Sequence, residues 1–91
     1  MTTIWRKFEF RGRDANGNPF VDFGFVESVG EQLLLSSHLL REPLRVDGED
    51  RVMPAFKHFY AGRGFSNLRY KVLWENGCPV DTPFHEGWMD S

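Results

Sequence analysis

The chain has 91 residues, a formal net charge of −2 at pH 7 and 41% hydrophobic residues. That length makes one domain, spanning 1–91, with no room for a second core. The charge argues against a nucleic-acid binder of the strongly basic kind, no apolar run approaches the ~18 residues of a membrane span, and the lone Cys78 excludes an intrachain disulfide and a multi-cysteine zinc site.

The first element expected is a β-hairpin over Trp5 to Val26. Phe8 and Phe10 alternate with Lys7, Glu9, Arg11 and Arg13, the period-2 pattern of a half-buried strand. The turn cluster Asp14-Ala15-Asn16-Gly17-Asn18-Pro19 comes after it, and then Val21, Phe23 and Phe25 alternate with Asp22 and Gly24. The pattern predicts an almost purely aromatic inner face, built from Phe8, Phe10, Val21, Phe23 and Phe25.

Next, Ser28-Val29-Gly30-Glu31 has the S-x-x-E spacing of a capping box. It predicts a leucine-rich helix over 29–42, with Val29, Leu33 and Leu40 on one face and Pro43 as its stop. Gly30 in the first turn weakens a helix, and the rival reading is a strand through Gln32-Leu33-Leu34-Leu35-Ser36. A second, short hairpin is expected from Leu44-Arg45-Val46 and Arg51-Val52-Met53 around Asp47-Gly48. Pro54 then opens a short helix with Phe56, Phe59 and Tyr60 inward and Gly62 as a left-handed cap. Leu68, Tyr70, Val72 and Trp74 alternate with Arg69, Lys71 and Glu75, which marks a strand. Asn76-Gly77 is a type I′ turn signal, and Pro79 limits the next segment to an edge strand. Residues 79–91 read as a partly irregular tail. The fold class is α+β: a mainly antiparallel sheet of four or five strands packed against one longer and one short helix.

The chemistry-bearing residues are sparse. His38, His58 and His85 fall in no metal-binding spacing, and Cys78 has no cation beside it in sequence to lower its pKa. No catalytic residue, metal ligand or cofactor is expected. Ala61-Gly62-Arg63-Gly64-Phe65 pairs a flexible backbone with a guanidinium fork, and Arg69 and Lys71 stand on the next strand, so Arg63, Gly64, Arg69 and Lys71 form a candidate anion site. Lys7, Arg11 and Arg13 beside Trp5 suggest a single-strand platform, but the alternation sets Phe8 and Phe10 on the opposite face from those cations. The charges also segregate: residues 52–74 carry Lys57, Arg63, Arg69 and Lys71 without an acid, while acids gather at 42–50 and in the tail.

Nine Phe, three Trp and two Tyr are more than so small a core readily holds. The surplus points to an interface, with Leu34, Leu35, Phe84 and Trp88 as its candidates. The expected function is therefore a small soluble, non-catalytic protein-binding module that self-associates or takes another protein. One alternative is a small anionic-ligand or enzymatic site between sheet and helix. The other is weak nucleic-acid binding through the basic strand faces. A charged N-terminus unlike a signal peptide and the single thiol point to the cytoplasm. Compact, motif-free chains of this kind are common among accessory proteins of mobile genetic elements.

Overall fold

The computed structural model describes residues 5–85. Its architecture is one antiparallel sheet with a single helix laid across one face. The strands are β1 (Trp5–Arg13), β2 (Pro19–Val29), β3 (Gln32–Ser37), β4 (Leu44–Val46), β5 (Ser66–Glu75) and β6 (Cys78–Pro79), in the spatial order β4-β3-β2-β1-β5-β6. The helix α1 (Val52–Gly62) is entered through a 3-10 turn at Glu49–Arg51. The sheet is thus larger than the sequence suggests, with six strands, and one helix covers it where two are expected from the sequence.

The missing helix is the leucine-rich one. Gly30, at φ +64°, takes the first central position of a two-residue turn, so that Val29 pairs with Gln32 and β2 folds back into β3. Positive φ costs glycine nothing, whereas a glycine in a helical turn costs ~1 kcal/mol relative to alanine. The capping box does not form, because Ser28 lies within β2 opposite Leu33. Leu33 and Leu35 are buried while Leu34 between them points to the other face, which is period 2 rather than 3.6. The rival strand reading is the one that describes this segment.

The second predicted hairpin is half right. Leu44–Val46 is a strand, but it pairs with β3, and Arg51, Val52 and Met53 enter the helix instead of returning as a strand. Pro54 therefore sits at the third helical position, still within the first turn, where its missing N–H has no partner to lose. At the other end, the left-handed residue is Gly64 (φ +82°), not Gly62, which is the last helical residue. Phe65 N–H donates to the Tyr60 carbonyl (3.1 Å) and Gly64 N–H to that of Ala61 (3.0 Å). This is the Schellman pair, and the Phe65 ring completes it by stacking on Tyr60 at 5.7 Å.

Val52, Phe56 and Tyr60, one helical turn apart, bury α1 against Phe8, Phe10, Val26, Leu33, Leu35 and Leu68 of the sheet. Gly24 is what lets the helix approach: a Cβ there would lie 2.7 Å from the Phe10 ring and 3.0 Å from Phe56. Beside it, the Tyr60 hydroxyl donates to Asp22 Oδ2 at 2.6 Å, and Asp22 Oδ1 accepts the Phe23 amide at 2.8 Å. Asp22 is only 2% exposed, so both oxygens need those donors.

This packing fixes the phase of β2 and overturns the expected inner face. Phe10 pairs with Asp22, Phe8 with Gly24, Gly12 with Phe20 and Arg6 with Val26. Directly opposed residues share a face, so Phe20, Asp22, Gly24 and Val26 lie under the helix. Val21, Phe23 and Phe25 look the other way. The register is set at the turn, where Asp14 Oδ1 accepts the amides of Asn16 and Asn18 (both 2.9 Å) and Gly17 adopts φ +82°, joining Arg13 to Pro19. A one-residue slip would flip every side chain of the strand.

Asn76 and Gly77, at φ +52° and +87°, make the expected type I′ turn into the edge strand that carries Pro79. Residues 80–84 have no regular structure, and His85 forms an isolated bridge to Tyr70, its ring stacked on the tyrosine at 4.7 Å.

Candidate functional site: the open face of the sheet

The face away from α1 is built by the second set of alternating residues. β1 contributes Trp5, Lys7, Glu9, Arg11 and Arg13. Pairing carries the same face outward: Lys7 opposes Phe25, Glu9 opposes Phe23 and Arg11 opposes Val21 on β2. On β5, Lys71 opposes Glu9 and Arg69 opposes Arg11. A bulge between Lys7 and Phe8 resets the phase so that Trp74 opposes Lys7. Trp74 therefore joins this face, 37% exposed, with Trp5 edge-on against it at 5.9 Å. Further along, Glu27 opposes Leu34 and Phe25 opposes Ser36 of β3.

Cations and rings interleave across these strands. Lys7 Nζ stands 5.4 Å from the centre of the Phe23 ring and 5.5 Å from that of Phe25. Phe84, from the segment after β6, lies among three cations: Arg11 and Arg69 at 5.6 Å and Lys71 at 5.2 Å. Each such contact is worth ~0.5–1 kcal/mol at an exposed site. The ring faces offset part of the repulsion between the gathered cations but neutralise none of their charge. Glu9 is the acid at the centre, 8% exposed and ion-paired with Arg11. Where β1 ends, Gly12, Arg13, Pro19, Asn67 and Arg69 line a groove of about 320 Å³.

The candidate anion site of the sequence is divided by this geometry. Arg69 and Lys71 share the open face, beneath Phe84. Arg63 lies on the helix side, its guanidinium 5.6 Å from the Phe59 ring, and Gly64 closes the helix next to Ala15 of the first turn. Of the interface candidates, Leu34 and Phe84 reach the open face. Leu35 is fully buried in the core and unavailable to a partner. Trp88 lies outside the described residues. Cys78 is exposed on β6, and the described residues hold no group of three or more His, Cys, Asp or Glu placed to bind a metal.

The sequence pattern alone misses Phe23, Phe25, Val21 and Trp74 as partners of the cations. Alternation is legible in the chain but its phase is not, and Val-x-Phe-x-Phe outweighs Phe-x-Asp-x-Gly-x-Val by hydrophobicity alone. The signal that could have found them is Gly24, since glycine inside a strand marks close approach by another chain segment.

Two tyrosines are displaced from their ordinary pKa. Tyr60 is pushed far up, first by burial and then by donation to the Asp22 carboxylate and that charge's repulsion of a phenolate, with Ser37 opposing in part. Burial raises Tyr70 as well. Among the described residues no helix is long and apolar enough to cross a membrane. No protein-family model, curated protein or solved structure matches the chain.

Proposed function

We propose that this protein is a non-catalytic binding module that takes an anionic partner on the open face of its sheet. The observation that carries the reading is the convergence of Arg11, Arg69 and Lys71 around the Phe84 ring, with Lys7 over Phe23 and Phe25 beside them. Six cations, counting Arg13 and Arg45, share this face with Glu9 and Glu27, in a chain whose overall charge is −2. A local field of that sign attracts anions regardless of the net charge. Binding is favoured over catalysis because the central carboxylate, Glu9, is already engaged by Arg11, and cations and rings dominate the face around it.

Self-association has less support from this geometry. Stacking two open faces would bring like charges together. The sheet edges are blunt, β4 having three residues and β6 two.

The test is retention on an immobilised polyanion at low salt. The wild-type chain is expected to be held despite its negative net charge, and Lys7→Glu/Lys71→Glu to pass through while keeping its far-ultraviolet circular dichroism. A wild-type protein that is not retained overturns the reading.

A further inference from the structure

The geometry points to single-stranded nucleic acid as the partner of the open face, an inference that rests on the binding-module reading above and names its ligand. Three features converge on that chemistry. First, rings and cations interleave across the neighbouring strands β2, β1 and β5, around the Arg11-paired Glu9. Trp5 and Trp74 stand at one end, then come Lys7 with Phe23 and Phe25, then Lys71, then Arg11 and Arg69 around Phe84, and finally Arg13 at the groove it lines with Arg69. Stacking surfaces for bases beside donors for phosphates are what an extended single strand needs. Second, the length fits. The stretch from Trp5 to Arg13 runs roughly 26 Å at the strand rise of ~3.3 Å per residue, room for about four nucleotides, the lower end of single-strand site sizes.

Third, the alternative polyanions match less of the face. A duplex keeps its bases stacked inside and offers a flat sheet only phosphates, leaving Trp74 and the phenylalanines without partners. An acidic peptide would satisfy the cations, as acidic motifs do at Arg clusters, but its carboxylates leave Trp74, Phe23 and Phe25 without stacking partners. Phe84 then has a defined place. Its ring covers Arg11, Arg69 and Lys71 in the free protein, as a base would in the complex, so an incoming strand either stacks on it or replaces it.

The experiment is fluorescence anisotropy with labelled oligothymidine and oligouridine of about ten nucleotides, room for the whole site, set against a duplex of equal length. The salt concentration is varied throughout. Both single strands, or one of them, are expected to bind more tightly than the duplex, which also tells DNA from RNA. The affinity should fall with a log–log salt slope of about −2 to −3, as for three or four phosphates on a single strand. Trp74→Ala should weaken binding by about five-fold or more, since a stacked base is worth ~1–3 kcal/mol. Lys7→Glu/Lys71→Glu should abolish it, and Arg51→Glu on the helix side should leave it unchanged. Absence of binding at low salt overturns the inference. So does a duplex bound as tightly as the single strands, or an Arg51→Glu variant as weak as the open-face variants. A labelled polyglutamate peptide run in parallel separates the two levels. If it binds and the oligonucleotides do not, the nucleic-acid inference falls and the anionic-partner reading stands; if neither binds, both fall.

Discussion

Replacing Tyr60 by phenylalanine tests the phase of β2, on which the whole open face depends. The ring contacts with Phe10 (5.1 Å), Phe20 (5.9 Å) and Phe65 (5.7 Å) survive the change, so no cavity larger than a hydroxyl is made. What goes is the 2.6 Å donation to Asp22 Oδ2, along with the hydroxyl's contact with Ser37. A hydrogen bond to a charged group is worth ~1.5–3 kcal/mol, and breaking a fully buried charged pair costs ~3–5. Asp22 keeps the Phe23 amide on its other oxygen, which places the expected loss at about 2–3 kcal/mol. For a domain of this size that lowers the melting temperature by roughly 10–20 °C. Urea unfolding of wild type, Tyr60→Phe, Asp22→Asn and the double variant gives the coupling directly. The variants should couple by at least ~1 kcal/mol, with unchanged slopes. If Val21, Phe23 and Phe25 faced the helix instead, Asp22 would stand in water. Tyr60→Phe would then cost less than ~0.5 kcal/mol with no coupling, and that result refutes the register.

Other variants probe the same packing. Gly24→Val would drive a side chain into Phe10 and Phe56 and should destabilise by about 1–3 kcal/mol or prevent folding, measured by thermal unfolding. Phe10→Ala in the core should cost about 3–5 kcal/mol, whereas Phe25→Ala on the open face should cost about 1 kcal/mol or less; equal losses would mean that the two faces are not distinct. Alkaline pH should destabilise the wild type. A phenol whose pKa is raised by folding holds its proton where the unfolded chain has released it, so stability is full below the ordinary value of 10.0 and falls as pH rises above it. The fall should be shallower in Tyr60→Phe, leaving the contribution of Tyr70. Equal slopes in both proteins would contradict the burial of the Tyr60 hydroxyl.

Local signals in the chain lead correctly to β1, β5, the Asn76-Gly77 turn and the existence of α1. In each case a strict alternation, a turn dipeptide or a proline–glycine frame acts within a few residues. The segment at 29–42 is not legible because Leu33-Leu34-Leu35 satisfies both periods, and the decision rests on a long-range fact, the pairing of β3 with β2. The same holds for Asp22. A carboxylate in a strand reads as solvent-facing until Tyr60, 38 residues away, is found to donate to it. That inversion hides the open face. With Phe23 and Phe25 assigned to the core, Trp5 is the one ring of β1 left beside Lys7 and Arg11. Arg69 and Lys71 are legible as a pair and do sit together. Arg63 groups with them only by proximity in the chain, across a helix end that turns it to the opposite side.

The most direct measurement of the central claim is an amide NMR titration with inorganic polyphosphate, a polyanion without rings. Binding on the open face predicts shifts concentrated at Lys7, Arg11, Phe23, Arg69 and Lys71, with little change along α1. Shifts gathered instead around Arg41, Arg51 and Arg63, or none at all at low salt, would contradict it.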